Sequence, residues 1–159
     1  MSATPATAVL DAAQVSYRLH SYQHDPQVAS YGQEAATALG IDPLRMFKTL
    51  VVELEAKPKR LAVALVPVAG KLDLKSCAQL FGVKRASLAA AAQATRSTGY
   101  VLGGVSPLGQ RTRLDTAIDE TCELWDTIFI SAGRRGLDVE LSPSELIRLT
   151  EARVGDIAG

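Results

Sequence analysis

Two apolar stretches dominate the hydrophobic pattern, residues 47–54 (FKTLVVEL) and 61–68 (LAVALVPV), separated by Lys57-Pro58-Lys59. Short apolar runs rich in β-branched residues and bounded by turn residues read as strands, and so brief a break makes the pair a hairpin. Alternation predicts another strand at 17–22, broken by His24-Asp25-Pro26. Strand-like runs follow at 98–105, 114–118, 127–131 and 137–141, the last two joined by a tight turn at Gly133-Arg134-Arg135-Gly136.

Helical signals fill the intervals. Thr4-Pro5 is a hydroxyl N-cap followed by proline at the first helical position, so a helix runs to about Gln14 with Val9, Leu10 and Ala13 on one face. Residues 30–39 are helical and stop at Gly40, and Asp42-Pro43 opens a short helical turn. Asp73 caps a helix through Leu80, stopped by Gly82, and the alanine-rich segment 86–94 reads as helix. Ser142-Pro143-Ser144-Glu145 starts the last helix, with Glu145 at the capping-box position. No repeat or linker divides the chain. The pattern therefore predicts one mixed α/β domain over residues 1–159, a mixed or barrel-like sheet of about six or seven strands surrounded by helices.

Composition changes this picture little. With 159 residues, 47% hydrophobic and 21% charged, the chain can bury one sizeable core and is not expected to be disordered. No run of about eighteen apolar residues is present, so no membrane helix is expected. The start of the chain lacks the basic and apolar pattern of a secretory signal, and two cysteines, Cys77 and Cys122, suit a reducing cytoplasm. Charge is more informative. The formal net charge is zero, yet residues 57–113 carry ten basic residues against the single acid Asp73, while residues 114–131 carry five acids and no base. A basic third of this kind is a candidate polyanion footprint, although solvated faces paired with the acidic stretch would read the same way. Aromatic residues, at 5%, are too sparse for a long base-stacking surface.

Several chemistries are missing. The glycines match neither a phosphate-binding loop nor a dinucleotide fingerprint, which leaves a nucleotide cofactor unsupported. His20 and His24, four apart on a strand, would share a face, but nothing completes a zinc set. Cys77 reads as a buried inert thiol, and the acidic neighbours of Cys122 should raise its pKa, so neither is a good nucleophile. Three features remain. Lys48 interrupts an apolar strand, where it either faces solvent or has a buried task. Ser131 and Asp138 flank the Gly133–Gly136 turn, which is either an ordinary glycine turn or one wall of a site. Gly103-Gly104-Val105-Ser106-Pro107-Leu108-Gly109 is either a wide surface loop or a shaped one whose N–H groups hold a carbonyl oxygen or phosphate.

Taken together these strings resemble the YbaK family. The resemblance is carried in order by Tyr22-x-His24-Asp25-Pro26, Lys48-Thr49-Leu50, Pro67-Val68-Ala69-Gly70-Lys71-Leu72-Asp73, Arg96-Ser97-Thr98-Gly99-Tyr100, Gly103 through Gln110, and Arg135-Gly136-Leu137-Asp138. That family comprises Cys-tRNA(Pro)/Cys-tRNA(Cys) deacylases related to the editing domain of bacterial prolyl-tRNA synthetase. The resemblance implies a cytoplasmic trans-editing enzyme with no cofactor, acting on the acceptor end of aminoacyl-tRNA. Lys48 matches the family's essential lysine. Tyr22, Thr49, Ser131 and Asp138, with Gly103, Gly104, Ser106 and Pro107 of the loop, match its substrate pocket. In the family's scheme the substrate's own thiol attacks its carbonyl and leaves a thiolactone. Lys57, Lys59, Arg60, Arg111 and Arg113 are the cations expected on the tRNA, and a complex with prolyl-tRNA synthetase is the implied source of tRNA(Pro) specificity. Ala132 and Arg134 depart from the glycine and lysine common in the family, which leaves the amino-acid preference, cysteine or alanine, open. A member that binds aminoacyl-tRNA or a synthetase without cleaving is the other reading.

Overall fold

The computed structural model describes residues 3–28 and 30–159. Among the described residues eight strands form two sheets. The five-stranded sheet is built on the antiparallel hairpin of β2 (Phe47–Leu54) and β3 (Arg60–Pro67), with Phe47 opposite Pro67 and Leu54 opposite Arg60. β4 (Ala86–Leu88) pairs antiparallel with β2, while β5 (Asp115–Asp119) and then β8 (Arg153–Gly155) add in parallel beyond β3. The three-stranded antiparallel sheet has the order β1 (Tyr17–Ser21), β7 (Leu137–Leu141), β6 (Ile128–Arg134). The sheets meet where Met46, just before β2, bridges Phe129 of β6.

β3 reads as an unbroken apolar run because both its faces are buried. Val63 and Leu65 point into the main core with Ile128 and Ile130 of β6, Val139 of β7, and Leu10 of α1 (Pro5–Ala12). Ala62, Ala64 and Val66 point the other way, onto Cys77 and Phe81 of α3 (Leu74–Phe81). Thr4 caps α1 as its sequence requires, with Thr7 completing a reciprocal capping box. Asp73 caps α3 by accepting from the Lys75 and Ser76 N–H groups, and Gly82 ends it in the left-handed conformation.

Four local expectations are corrected. Residues 86–94 are not one helix: Ala86–Leu88 form the edge strand β4 against Val52–Leu54, and the helix α4 is Ala91–Thr98. Sheet pairing overrides alanine's helix propensity there. Residues 98–105 are not a strand: Thr98 ends α4 and 99–105 are a loop, in which Tyr100 and Val105 are buried by packing on Val51 and Ala94, not by a ladder. Glu145 of the last helix, α5 (Pro143–Thr150), pairs with Arg148, and the Ser142 hydroxyl lies on that of Ser144 instead of capping. Finally, β6 runs on through a bulge to Arg134, which shortens the predicted turn to Arg135-Gly136. Among the described residues no helix is long and apolar enough to cross a membrane.

Candidate active site

Asp138 of β7 stands between two cross-strand neighbours, His20 of β1 and Ser131 of β6. Its chain neighbours Leu137 and Val139 belong to the main core, so strand alternation turns Asp138 to the opposite face of the sheet. That face is roofed by α2 (Tyr31–Leu39), whose Ala35 and Ala36 pack with Met46 and Phe129. A cavity of about 300 Å³ opens between the sheet, the roof and the first residues of β2. Six of the sequence-predicted residues line it: Tyr22, Lys48, Thr49, Gly103, Ser131 and Asp138.

Lys48 is half-buried, and its Nζ donates a 3.0 Å hydrogen bond to the carbonyl of Gly70. Burial pushes its pKa below the usual lysine value, and the positive charge of Lys71 adds to this. Asp138 is 6% exposed, and burial pushes its carboxyl up to about 7. Burial also raises the Tyr22 phenol, helped by the charges of Asp138 and Glu34. The buried Thr49 hydroxyl has no partner among the described residues. The site thus joins a cation bonded to the Gly70 carbonyl, a carboxyl that burial raises to about 7, and the unspent hydroxyl of Thr49. Such a set can bind a small polar acyl group and answer negative charge developing on its carbonyl oxygen.

The remaining predicted residues lie elsewhere. Gly104 presses against the backbone of Arg134, where an added Cβ would sit 2.7 Å from Arg134 Cα, and its N–H donates to the Val101 carbonyl at 2.9 Å. That N–H is therefore not presented to a substrate. Ser106 is fully buried, with its hydroxyl accepting from the Leu108 N–H. Pro107 lines a separate cavity of about 220 Å³ beside Arg113. Of the proposed tRNA cations, Lys57, Lys59 and Arg60 sit at the far tip of the β2–β3 hairpin, about 20 Å from Lys48 at 3.3 Å per strand residue. Lys59 lies 3.8 Å from Glu53, Arg60 2.8 Å from Asp115, and Arg113 2.7 Å from Glu151. The Arg111 backbone N–H donates to Thr98.

Sequence reasoning missed the supports of the cavity. Glu34 of α2 accepts from the Asp25 N–H at 2.7 Å and lies 2.8 Å from His24 Nδ1, bonds that hold its carboxyl below the usual range. They clamp the segment after Tyr22 onto the roof. His20 instead joins Glu140, Arg45 and Thr127 in a network that ties the two sheets together. The two histidines therefore hold different carboxylates, Glu140 and Glu34. Arg135 belongs to the Arg135-Gly136-Leu137-Asp138 string, which by itself implies no role for it. Its Nε donates to the Leu102 carbonyl at 2.7 Å, one terminal nitrogen to the Tyr31 hydroxyl at 3.1 Å, and its guanidinium carbon lies 4.5 Å from the centre of the Tyr31 ring. The only sequence signal for Tyr31 was an aromatic residue opening a helix. Both cysteines are buried, with burial pushing Cys77 to about 11 and Cys122 to about 12. For Cys122 burial outweighs the acidic neighbours.

Residues 25–149 match the family of aminoacyl-tRNA editing domains, and the chain belongs to that family. It is an editing-domain protein of translation whose substrate class is aminoacyl-tRNA. Over 155 residues it is 32% identical to EbsC of Enterococcus faecalis, a candidate Cys-tRNA(Pro)/Cys-tRNA(Cys) deacylase, covering 97% of this chain and 92% of that protein. Bacillus subtilis YwhH, an uncharacterised protein, is 30% identical over 124 residues, covering 77% of this chain and 76% of that one. The crystal structure of a candidate trans-editing enzyme for prolyl-tRNA synthetase superposes with a TM-score of 0.79 at 25% identity, covering 99% of each chain.

Proposed function

We propose that this protein is a free-standing trans-editing deacylase that removes cysteine from Cys-tRNA(Pro), and from Cys-tRNA(Cys), in the cytoplasm. The observation that carries this reading is the meeting of Lys48, Ser131 and Asp138 on one cavity in a chain of the editing family. Editing meets a physical need. A proline pocket rejects near-isosteric small amino acids by only about 10–200-fold, so a second site must remove the product.

Neither protein thiol is suited to attack an ester, because burial holds both protonated. The substrate's thiol takes that part. It gives up its proton, its sulfur bonds to the ester carbonyl carbon, and negative charge moves to the carbonyl oxygen beside the Lys48 ammonium. The carbon–oxygen bond to the terminal ribose then breaks, and the ribose oxygen regains a proton. The products are a cysteine thiolactone and free tRNA, and water opens the thiolactone afterwards. Asp138 and Tyr22 receive the α-ammonium, Ser131 and the unpartnered Thr49 hydroxyl bound the acyl side chain, and Gly103 gives the carbonyl room. Holding thiol and carbonyl together supplies much of the rate. The hairpin-tip cations, with Arg111 and Arg113, reach acceptor-stem phosphates, and a complex with prolyl-tRNA synthetase supplies tRNA(Pro) specificity.

The test is a panel of tRNA(Pro) charged with Cys, Ala, Ser or Pro, with the acyl product identified by mass spectrometry. Thiolactone from the cysteinyl ester and persistence of the others are expected. Cleavage of the alanyl ester, which has no thiol, at an equal rate overturns the proposed chemistry.

A further inference from the structure

We infer that Arg135, stacked on Tyr31 and abutting Leu102 at the mouth of the cavity, forms the subsite for the 3′-terminal nucleotide of the acceptor end. The guanidinium meets the terminal phosphate and the exposed leucine meets the base. The inference rests on the aminoacyl-tRNA reading above and adds a recognition element to it.

Three observations converge. First, Arg135 joins three walls of the cavity: it leaves the β6–β7 turn, donates to the glycine loop through the Leu102 carbonyl, and donates to α2 through the Tyr31 hydroxyl. Gly103 is shaped around this contact. A Cβ there would lie 2.7 Å from Tyr31 Cγ and 2.9 Å from Arg135 Nε. Second, both acceptors of Arg135 are neutral oxygens, and no carboxylate pairs with it among the described residues. Two of the five guanidinium N–H donors are spent on them, which leaves three for a ligand. A half-buried, preoriented guanidinium without a counter-charge fits a phosphate better than an exposed, already paired cation such as Arg60 or Arg113. Third, Val101 and Leu102 are 55% and 51% exposed beside this cation. An apolar shelf next to a phosphate-binding group, at the entrance of a site that takes the aminoacyl group, matches the layout of a terminal nucleotide, whose phosphate and base flank the esterified ribose.

The experiment uses the full chain and an uncharged, 5′-labelled RNA oligonucleotide ending in CCA, titrated by fluorescence anisotropy at several salt concentrations. Arg135→Ala and the better-tolerated Arg135→Gln are expected to weaken binding roughly tenfold at low salt. Each should lower the slope of log affinity against log salt by about 0.7, the value for one single-strand phosphate. Lys84→Ala, which removes an exposed charge elsewhere, keeps the wild-type slope. An oligonucleotide lacking the terminal adenosine should lose the difference between wild type and the Arg135 variants. Arg135 variants that are folded by circular dichroism yet bind with wild-type affinity and slope overturn the inference, as does a wild type indifferent to the terminal adenosine. Arg135-dependent binding without release of any amino acid from charged tRNA would instead overturn the deacylase reading alone.

Discussion

Asp138 and Ser131 face each other across the β6–β7 ladder, on the side of the sheet that lines the cavity. The Ser131 hydroxyl accepts from the Gly133 N–H at 3.2 Å within the β6 bulge, whereas Asp138 is buried. That burial has a pH signature. The folded protein binds the Asp138 proton more tightly than the unfolded chain does, so its ionisation is a cost borne only by the folded state. Stability falls as pH rises from about 4, the unfolded value, through about 7. Asp138→Asn removes this dependence. Its melting temperature relative to wild type should rise between pH 5 and pH 8, by an amount reflecting on the order of a few kcal/mol, while deacylation is lost. Thermal melts across that range check it.

Gly103 and Gly40 both have positive φ, but only Gly103 is crowded. Gly40→Ala meets nothing within 4 Å and should cost about 1 kcal/mol from backbone strain. Gly103→Ala adds the clash with Tyr31 and Arg135, so it should cost more and also raise KM. Denaturant titration of the two variants separates strain from crowding.

The hairpin-tip cations lie too far from Lys48 to touch the ester. Replacing Lys57, Lys59 and Arg60 together by alanine should raise KM at low salt and flatten its salt dependence, with kcat within about twofold of wild type. Steady-state kinetics from about 50 to 200 mM salt check this; identical salt curves would remove these residues from the tRNA footprint.

Cys77 and Cys122 are both inaccessible. Iodoacetamide should leave the native chain unmodified by intact-mass analysis and leave deacylation unchanged. Cys77→Ala should cost roughly 1–2 kcal/mol of stability through its lost packing, with kcat retained. Loss of activity on alkylation would point to a protein nucleophile.

Much of the fold was legible where local signals and burial agree. The bounds of β2 follow its apolar run, Thr4 and Asp73 start their helices, and Gly40 and Gly82 stop theirs, as their chemistry requires. Legibility failed where tertiary contacts overrode local preference. Ala86–Leu88 extends because β2 offers an unpaired edge, and Tyr100 and Val105 are buried as loop side chains while Val101 and Leu102 between them stay exposed. β8 is too short to show a period. The site was read in the same way. Lys48 stands out as a charge within an apolar strand, and Ser131 and Asp138 as the flanks of a glycine turn, whereas Arg135, Tyr31 and Gly70 matter only through what the folded chain brings against them.

The most direct test is single-turnover cleavage of Cys-tRNA(Pro) by wild type and Lys48→Ala, with folding confirmed by circular dichroism. Removal of an ammonium that answers charge on the carbonyl oxygen should slow the chemical step by about 10²–10³-fold. A Lys48→Ala rate within threefold of wild type would contradict the account.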